Sequence, residues 1–177
     1  MTDFVAERLA RIKDAGLYRT LQRLSQRDGA VIKIDGREFI NFGSNDYLGL
    51  AQHPQICAAA AEALAQWGFG AGSARLISGS FDPHHRLEEA VVRHTGAEAA
   101  LLFNSGYHAN VGGIPALAEE GDVIFSDRLC HASIVDGCRL SKARRLVFAH
   151  SDTGELETLL KRETCDGQRW VVTEGLF

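Results

Sequence analysis

The chain has 177 residues, 45% of them hydrophobic and 24% charged, the balance of a globular chain with enough apolar material for one core. A formal net charge of −4 leaves no basic field for a nucleic-acid backbone, and no apolar run approaches the length of a membrane span. The charged, amphipathic N-terminus lacks the apolar centre of a signal peptide, so a cytoplasmic setting is expected.

In chain order, Phe4 to Leu24 carries Val5, Leu9, Ile12, Leu17, Leu21 and Leu24 at near-helical intervals, which predicts an amphipathic N-terminal arm. Val31 to Ile34, Asp35-Gly36, then Glu38 to Phe42 predict a β-hairpin, because Asp-Gly supplies the two positive φ angles of a tight turn. Pro54 predicts a helix start, where its missing N–H costs nothing, and Gly68 lies just past the end. Asp82-Pro83 opens another helix in the same way, and Gly96 stops it.

From Ala99 onward, short apolar runs (99–103, 122–126, 144–148, 170–174) alternate with helical stretches (107–119, 131–141, 154–162). That alternation predicts an α/β fold with a mostly parallel sheet and flanking helices. Pro115 should kink or shorten the helix that holds it. Ligands of such sheets gather at the carboxyl ends of the strands, and two segments fall there: Asn104 to Tyr107 and Ser126 to His131. Asn104, Ser105 and Gly106 lead from the first run into a helix, so the free backbone N–H groups of its opening turn suit an anion. A plain strand-to-helix turn accounts for the same residues. His131 opens the next helix, where a histidine is ordinarily solvent-facing. There is no internal repeat, low-complexity tract or linker.

GFGAGS, with Gly68, Gly70 and Gly72, invites a dinucleotide reading but fails it, since Ser73 replaces the third glycine and a helix, not a strand, precedes it. Cys57, Cys130, Cys138 and Cys165 have no CxxC spacing, which predicts reduced structural thiols and no metal site. The adjacent Cys130 and His131 are poorly placed to share one tetrahedral ion.

Six segments in order resemble the α-oxoamine synthase family of pyridoxal-phosphate enzymes, and within it the biotin-forming branch. They are GLYRTL (16–21), NFGSNDYLGLAQHP (41–54), GAGSARLISG (70–79), FNSGYHAN (103–110), SDRLCHASIVDG (126–137) and VVTEGLF (171–177). The resemblance implies an N-terminal arm and hairpin over residues 1–53. Residues 54–177 would then be the first half of a fold-type I PLP-dependent transferase large domain. In that family the lysine that binds the cofactor lies beyond the last matched segment, so the chain is expected to be the N-terminal portion, truncated before that lysine and inactive alone.

The resemblance also implies roles. Gly106 and Tyr107, with Ser105 beside them, would give main-chain amides to the phosphate of pyridoxal 5'-phosphate. His131 would stack on the cofactor ring and position substrate. Arg19 in GLYRTL would meet the acyl substrate's carboxylate. Asn45, Ser73, Ala74 and Arg75 lie in loops near the family's active site, with a structural turn role favoured for Asn45 and Arg75 a weaker functional candidate, and Glu174 would either orient groups near the cofactor or serve as a plain strand-end turn residue. Lys142, in an RLSKA segment, is peripheral in the family and is not the Schiff-base lysine; Lys13, Lys33 and Lys161 also lack that lysine's motif. The expected reaction joins L-alanine to a pimeloyl thioester, carried by CoA or acyl carrier protein, with loss of carbon dioxide, in a homodimer when the protein is full length. Two alternatives stay open: another branch of the family, such as one joining glycine to acetyl-CoA, and a non-catalytic fragment or dimerisation module.

Overall fold

The computed structural model describes residues 3–177, and the chain divides into two compact units, Met1–Gly72 and Ser73–Phe177. The helix opened by Pro54 belongs to the first of these units.

In the first unit, helix α1 (Asp3–Asp14) has Asp3 in its first turn and Arg11 and Lys13 in its last, each placed to complement the helix dipole. It stops ten residues short of the predicted Leu24. Gly16 adopts a left-handed φ of 66°, and the N–H groups of Gly16 and Leu17 close back on the carbonyls of Lys13 and Ile12. Residues 17–23 form no regular element, and Leu24 opens a strand that its polar sequence conceals. Strand β1 (Leu24–Asp28) pairs antiparallel with β2 (Val31–Ile34), which pairs antiparallel with β3 (Arg37–Ile40). The β2–β3 turn is the expected one, with φ of 48° at Asp35 and 78° at Gly36. Helix α2 (Pro54–Trp67) begins at Pro54 and ends at Gly68, whose N–H bonds the Leu64 carbonyl. No described residue of this unit is fully buried.

The second unit opens with a loop held by Arg75, whose guanidinium forms a paired ion contact with Glu88 in helix α3 (Asp82–Thr95). Gly96, at φ 73°, terminates α3 as predicted. The run 99–103 is not a strand: it enters no sheet, and the Leu102 N–H bonds the Glu88 carboxylate at 2.9 Å. Its apolar residues satisfy the composition of a strand, but no ladder partner lies beside them among the described residues.

Helix α4 (Gly106–Leu117), β4 (Val123–Asp127), α5 (Ala132–Leu140), β5 (Arg144–Phe148), α6 (Thr153–Arg162) and β6 (Arg169–Val172) follow in the predicted alternation. Pro115 sits in the last turn of α4, which ends two residues later. The sheet order is β5-β4-β6, and both pairings are parallel. Period-two alternation along β4 feeds two cores. Ile124 packs with Ile134 and Cys138 of α5 and Ile114 of α4, while Val123 and Phe125 pack with Phe148 and with Leu156, Leu159 and Leu160 of α6. The central strand is therefore covered on both faces, and all five of its residues are buried. At its amino end, Asp122 accepts from the Trp170 indole at 2.9 Å and the Gln168 N–H at 2.6 Å, which fastens β6 to β4. Those bonds hold its carboxyl below the usual carboxylate range.

Candidate active site

The carboxyl end of β4 leads directly into the loop that ends at His131. Asp127, the last residue of the strand, is buried, and its carboxylate accepts from Leu129 N–H at 2.8 Å, Ser151 N–H at 3.0 Å and His150 Nδ1 at 3.1 Å. Burial alone pushes this carboxyl up, but the two backbone donors and the imidazole outweigh it and leave it below its ordinary value. Asp127 thus ties the loop after β5 to the loop that carries His131. His150 is the clamp's second half, with its ring edge-on to Phe177 at 4.4 Å.

His131 caps α5. Its backbone N–H donates to the carboxylate of Glu174, just past the end of β6, and its Nδ1 accepts from Ser133 N–H at 3.2 Å. The neighbouring Cys130 is buried, with its thiol 3.6 Å from the Val172 carbonyl; burial pushes the thiol up, as it does at Cys138. A thiol of that kind is a packing group, not a nucleophile. Among the described residues no group of three His, Cys, Asp or Glu side chains gathers around a point that could hold a metal ion.

At the start of α4, Ser105 is the N-cap, and its hydroxyl accepts from His108 N–H at 3.1 Å. Among the described residues no group accepts from the N–H of Gly106 or Tyr107. A Cβ added at Gly106 would meet nothing within 4 Å, so the folded chain itself does not require glycine there.

Helices α4 and α5 meet in the space between these two features. The Tyr107 hydroxyl donates to Asp136 at 2.9 Å, and the Asn110 amide donates to the Ser133 hydroxyl at 2.9 Å. The bond to Asp136 favours the protonated phenol, and the neighbouring negative charge disfavours a phenolate, so the Tyr107 pKa is raised. The close approach depends on Gly137, where a Cβ would fall 2.6 Å from the Asn110 carbonyl oxygen. Two separate sets of bonds, Tyr107–Asp136 and Asn110–Ser133–His131, thus join the first half of α4 to α5 and its capping histidine.

Of the other sequence candidates, Arg19 and Asn45 belong to the first unit and Arg75 and Lys142 to the second. Arg19 is exposed, in the irregular stretch between α1 and β1 of the first unit. Asn45 lies in an irregular stretch between two turns and makes a long contact from the Tyr47 hydroxyl, at 3.5 Å. Arg75 is engaged with Glu88. Lys142 is exposed at φ 63° in the turn between α5 and β5, at the amino end of the strands and away from the His131 loop. Asn110, Ser133 and Asp136 were not singled out from sequence, although Asn110 lies in FNSGYHAN and the other two in SDRLCHASIVDG.

A parallel β-sheet with a polar cap of helix starts at its carboxyl end agrees with what the chain matches. It belongs to the family described as aminotransferase class I and II, whose model matches residues 37–177. It is 49% identical over 177 residues to the 8-amino-7-oxononanoate synthase of Geobacter sulfurreducens, covering 100% of this chain and 45% of that protein. It is 48% identical to the same enzyme of Thermoanaerobacter pseudethanolicus, again covering 45% of the relative. The chain therefore spans less than half the length of the curated relatives it matches. Among solved structures, a serine palmitoyltransferase from S. paucimobilis with a bound PLP–myriocin aldimine matches at a TM-score of 0.87 and 30% identity, covering 99% of this chain and 46% of that one. The 8-amino-7-oxononanoate synthase of Francisella tularensis matches at a TM-score of 0.62 and 29% identity, covering 77% and 37%.

Proposed function

We propose that this chain provides the cofactor-holding surface of an 8-amino-7-oxononanoate synthase, an acyltransferase that joins L-alanine to a pimeloyl thioester on pyridoxal 5'-phosphate. The observation that carries the reading is the pair of unaccepted N–H groups at Gly106 and Tyr107, at the start of a helix that the Tyr107–Asp136 and Asn110–Ser133 bonds join to the helix capped by His131. Identity near one half to enzymes of that name supports the substrate assignment.

The residues fit such a cofactor. Two free amides at a helix start suit a phosphate, and the open space before Gly106 lets it approach the backbone. The exposed imidazole of His131 offers a flat face for an aromatic ring, while Glu174 and Ser133 hold its backbone and its Nδ1. Bound pyridoxal phosphate supplies an electron sink for the pair left at the amino acid's Cα. The chain's own residues do the rest: the amides anchor, the imidazole restrains the ring and offers an N–H to a substrate oxygen, and Arg19 pairs with the acyl carboxylate. A homodimer is the assembly expected of this reading.

Titration of the purified chain with pyridoxal phosphate, followed by equilibrium dialysis, tests it. Saturable binding that competes with inorganic phosphate, and that weakens about tenfold or more in Gly106→Ala and in His131→Ala, is the expected result. Binding unaffected by either substitution would contradict it. Borohydride treatment of the same mixture is expected to fix no defined lysine, since Lys142 lies at the wrong end of the sheet and Lys161 pairs with Glu157.

A further inference from the structure

We infer that Asn110 and Ser133 are positioning residues that hold His131 in its Nε2–H tautomer, through the directed chain of bonds Asn110 Nδ2–H to Ser133 Oγ, and Ser133 O–H to His131 Nδ1. The direction follows from the donors. Ser133 N–H can only donate, and it points at Nδ1 from 3.2 Å, so this nitrogen presents a lone pair. The Ser133 hydroxyl lies 2.7 Å from the same Nδ1 and must therefore donate to it as well. That leaves the hydroxyl's lone pairs to be satisfied, and Asn110 Nδ2 does so from 2.9 Å.

Every donor in the chain is used once, and Ser133, only 1% exposed, has no solvent in which to reverse its hydroxyl. The neutral ring's single proton then resides on Nε2. Since Glu174 holds the backbone N–H and Ser133 holds Nδ1, Nε2 is the ring's one remaining polar atom. His131 becomes an obligate donor toward whatever lies over the patch. Gly137 contributes indirectly, because without the close approach of α4 and α5 Asn110 would not reach Ser133.

What Nε2 donates to depends on the cofactor reading above; the tautomer does not. The test separates the two. Two-bond 1H–15N correlation spectra of the histidine-labelled chain, recorded where imidazoles are neutral and assigned by the loss of signals in His131→Gln, should show His131 protonated at Nε2. Asn110→Asp replaces the donor with an acceptor of the same shape. The Ser133 hydroxyl should turn toward it, and the Nδ1–H share of His131 should rise about threefold or more, the factor that one net hydrogen bond is worth.

Ser133→Thr keeps the hydroxyl and should preserve the wild-type ratio, whereas Ser133→Ala should move the Nδ1 resonance toward that of a less bonded acceptor. A wild-type ring protonated at Nδ1 overturns the inference, and so does a ratio indifferent to Asn110→Asp in a chain whose amide spectrum is unchanged. Should Asn110→Asp fail to fold, the wild-type tautomer and Ser133→Ala decide the matter. Addition of pyridoxal phosphate should shift the Nε2–H signal. No shift, with the wild-type tautomer intact, would remove the cofactor reading and leave the relay standing.

Discussion

The hairpin unit and the β4-centred unit use apolar residues in opposite ways. In the first, Leu21 and Phe42 are 102% and 93% exposed and no described residue is buried; in the second, Ile124 and Phe125 are completely enclosed. The hairpin is shaped by turn geometry at Asp35-Gly36 and by strand pairing, while the parallel sheet is shaped by burial on both faces. Local backbone chemistry is thus enough to define a hairpin's form, but the polar contacts between α4 and α5 require a core beneath them, because their residues come from separate helices.

Core truncation should separate the units most sharply. Phe125→Ala is expected to cost about 3–5 kcal/mol and to collapse the second unit, whereas Phe42→Ala should change stability by no more than about 0.5 kcal/mol. Urea denaturation followed by circular dichroism checks both; equal effects would mean that the exposed residues of the first unit carry a core of their own.

Next in size is Gly137→Ala, whose new methyl must displace the Asn110 carbonyl or the Ile114 side chain. An overpacking cost of about 1–3 kcal/mol is expected, together with loss of the Tyr107–Asp136 and Asn110–Ser133 bonds. Thermal melts measure the first effect and side-chain NMR the second.

Glu88 gives a pH-dependent test within the second unit. Arg75 and the Leu102 N–H hold its carboxyl at about 2, against 4.5 unperturbed. A depressed folded-state value means that the contact's contribution is complete above about 4.5 and disappears as the pH falls toward about 2. The protection of the Leu102 amide, measured against the intrinsic exchange rate at each pH, should fall over that window, and Glu88→Gln should abolish the dependence. The smallest effect belongs to the hairpin. Gly36→Ala at φ 78° is expected to strain the turn by about 1 kcal/mol and to leave the melting of the second unit unchanged.

What could be read from sequence follows the same division between local and non-local causes. Asp35-Gly36, Pro54, Gly68, Asp82-Pro83 and Gly96 act on their own backbone, and each does in the structure what its chemistry predicts. Strand β4 is legible because a strand buried on both faces has a continuous hydrophobic signature, and the half-exposed β5 and β6 because their short apolar runs, LVF and WVV, alternate with helical stretches. Strand β1 was not, since LSQRD owes its conformation to pairing with β2 and not to its own composition. The run 99–103 misled for the converse reason, with strand composition but no neighbouring ladder among the described residues. In the site, Gly106, Tyr107 and His131 were marked by their place at helix starts. Asn110 and Ser133 carried no such mark: a bond across 23 residues depends on how two helices cross, and nothing local encodes that.

The central claim is that the amides of Gly106 and Tyr107 and the ring of His131 serve one guest. Stepwise addition of pyridoxal phosphate to the 15N-labelled chain measures this directly. The account predicts that the Gly106 and Tyr107 amide signals and the His131 ring signals move together, along one binding curve. Movement of the amides alone, or two curves with different midpoints, would contradict it.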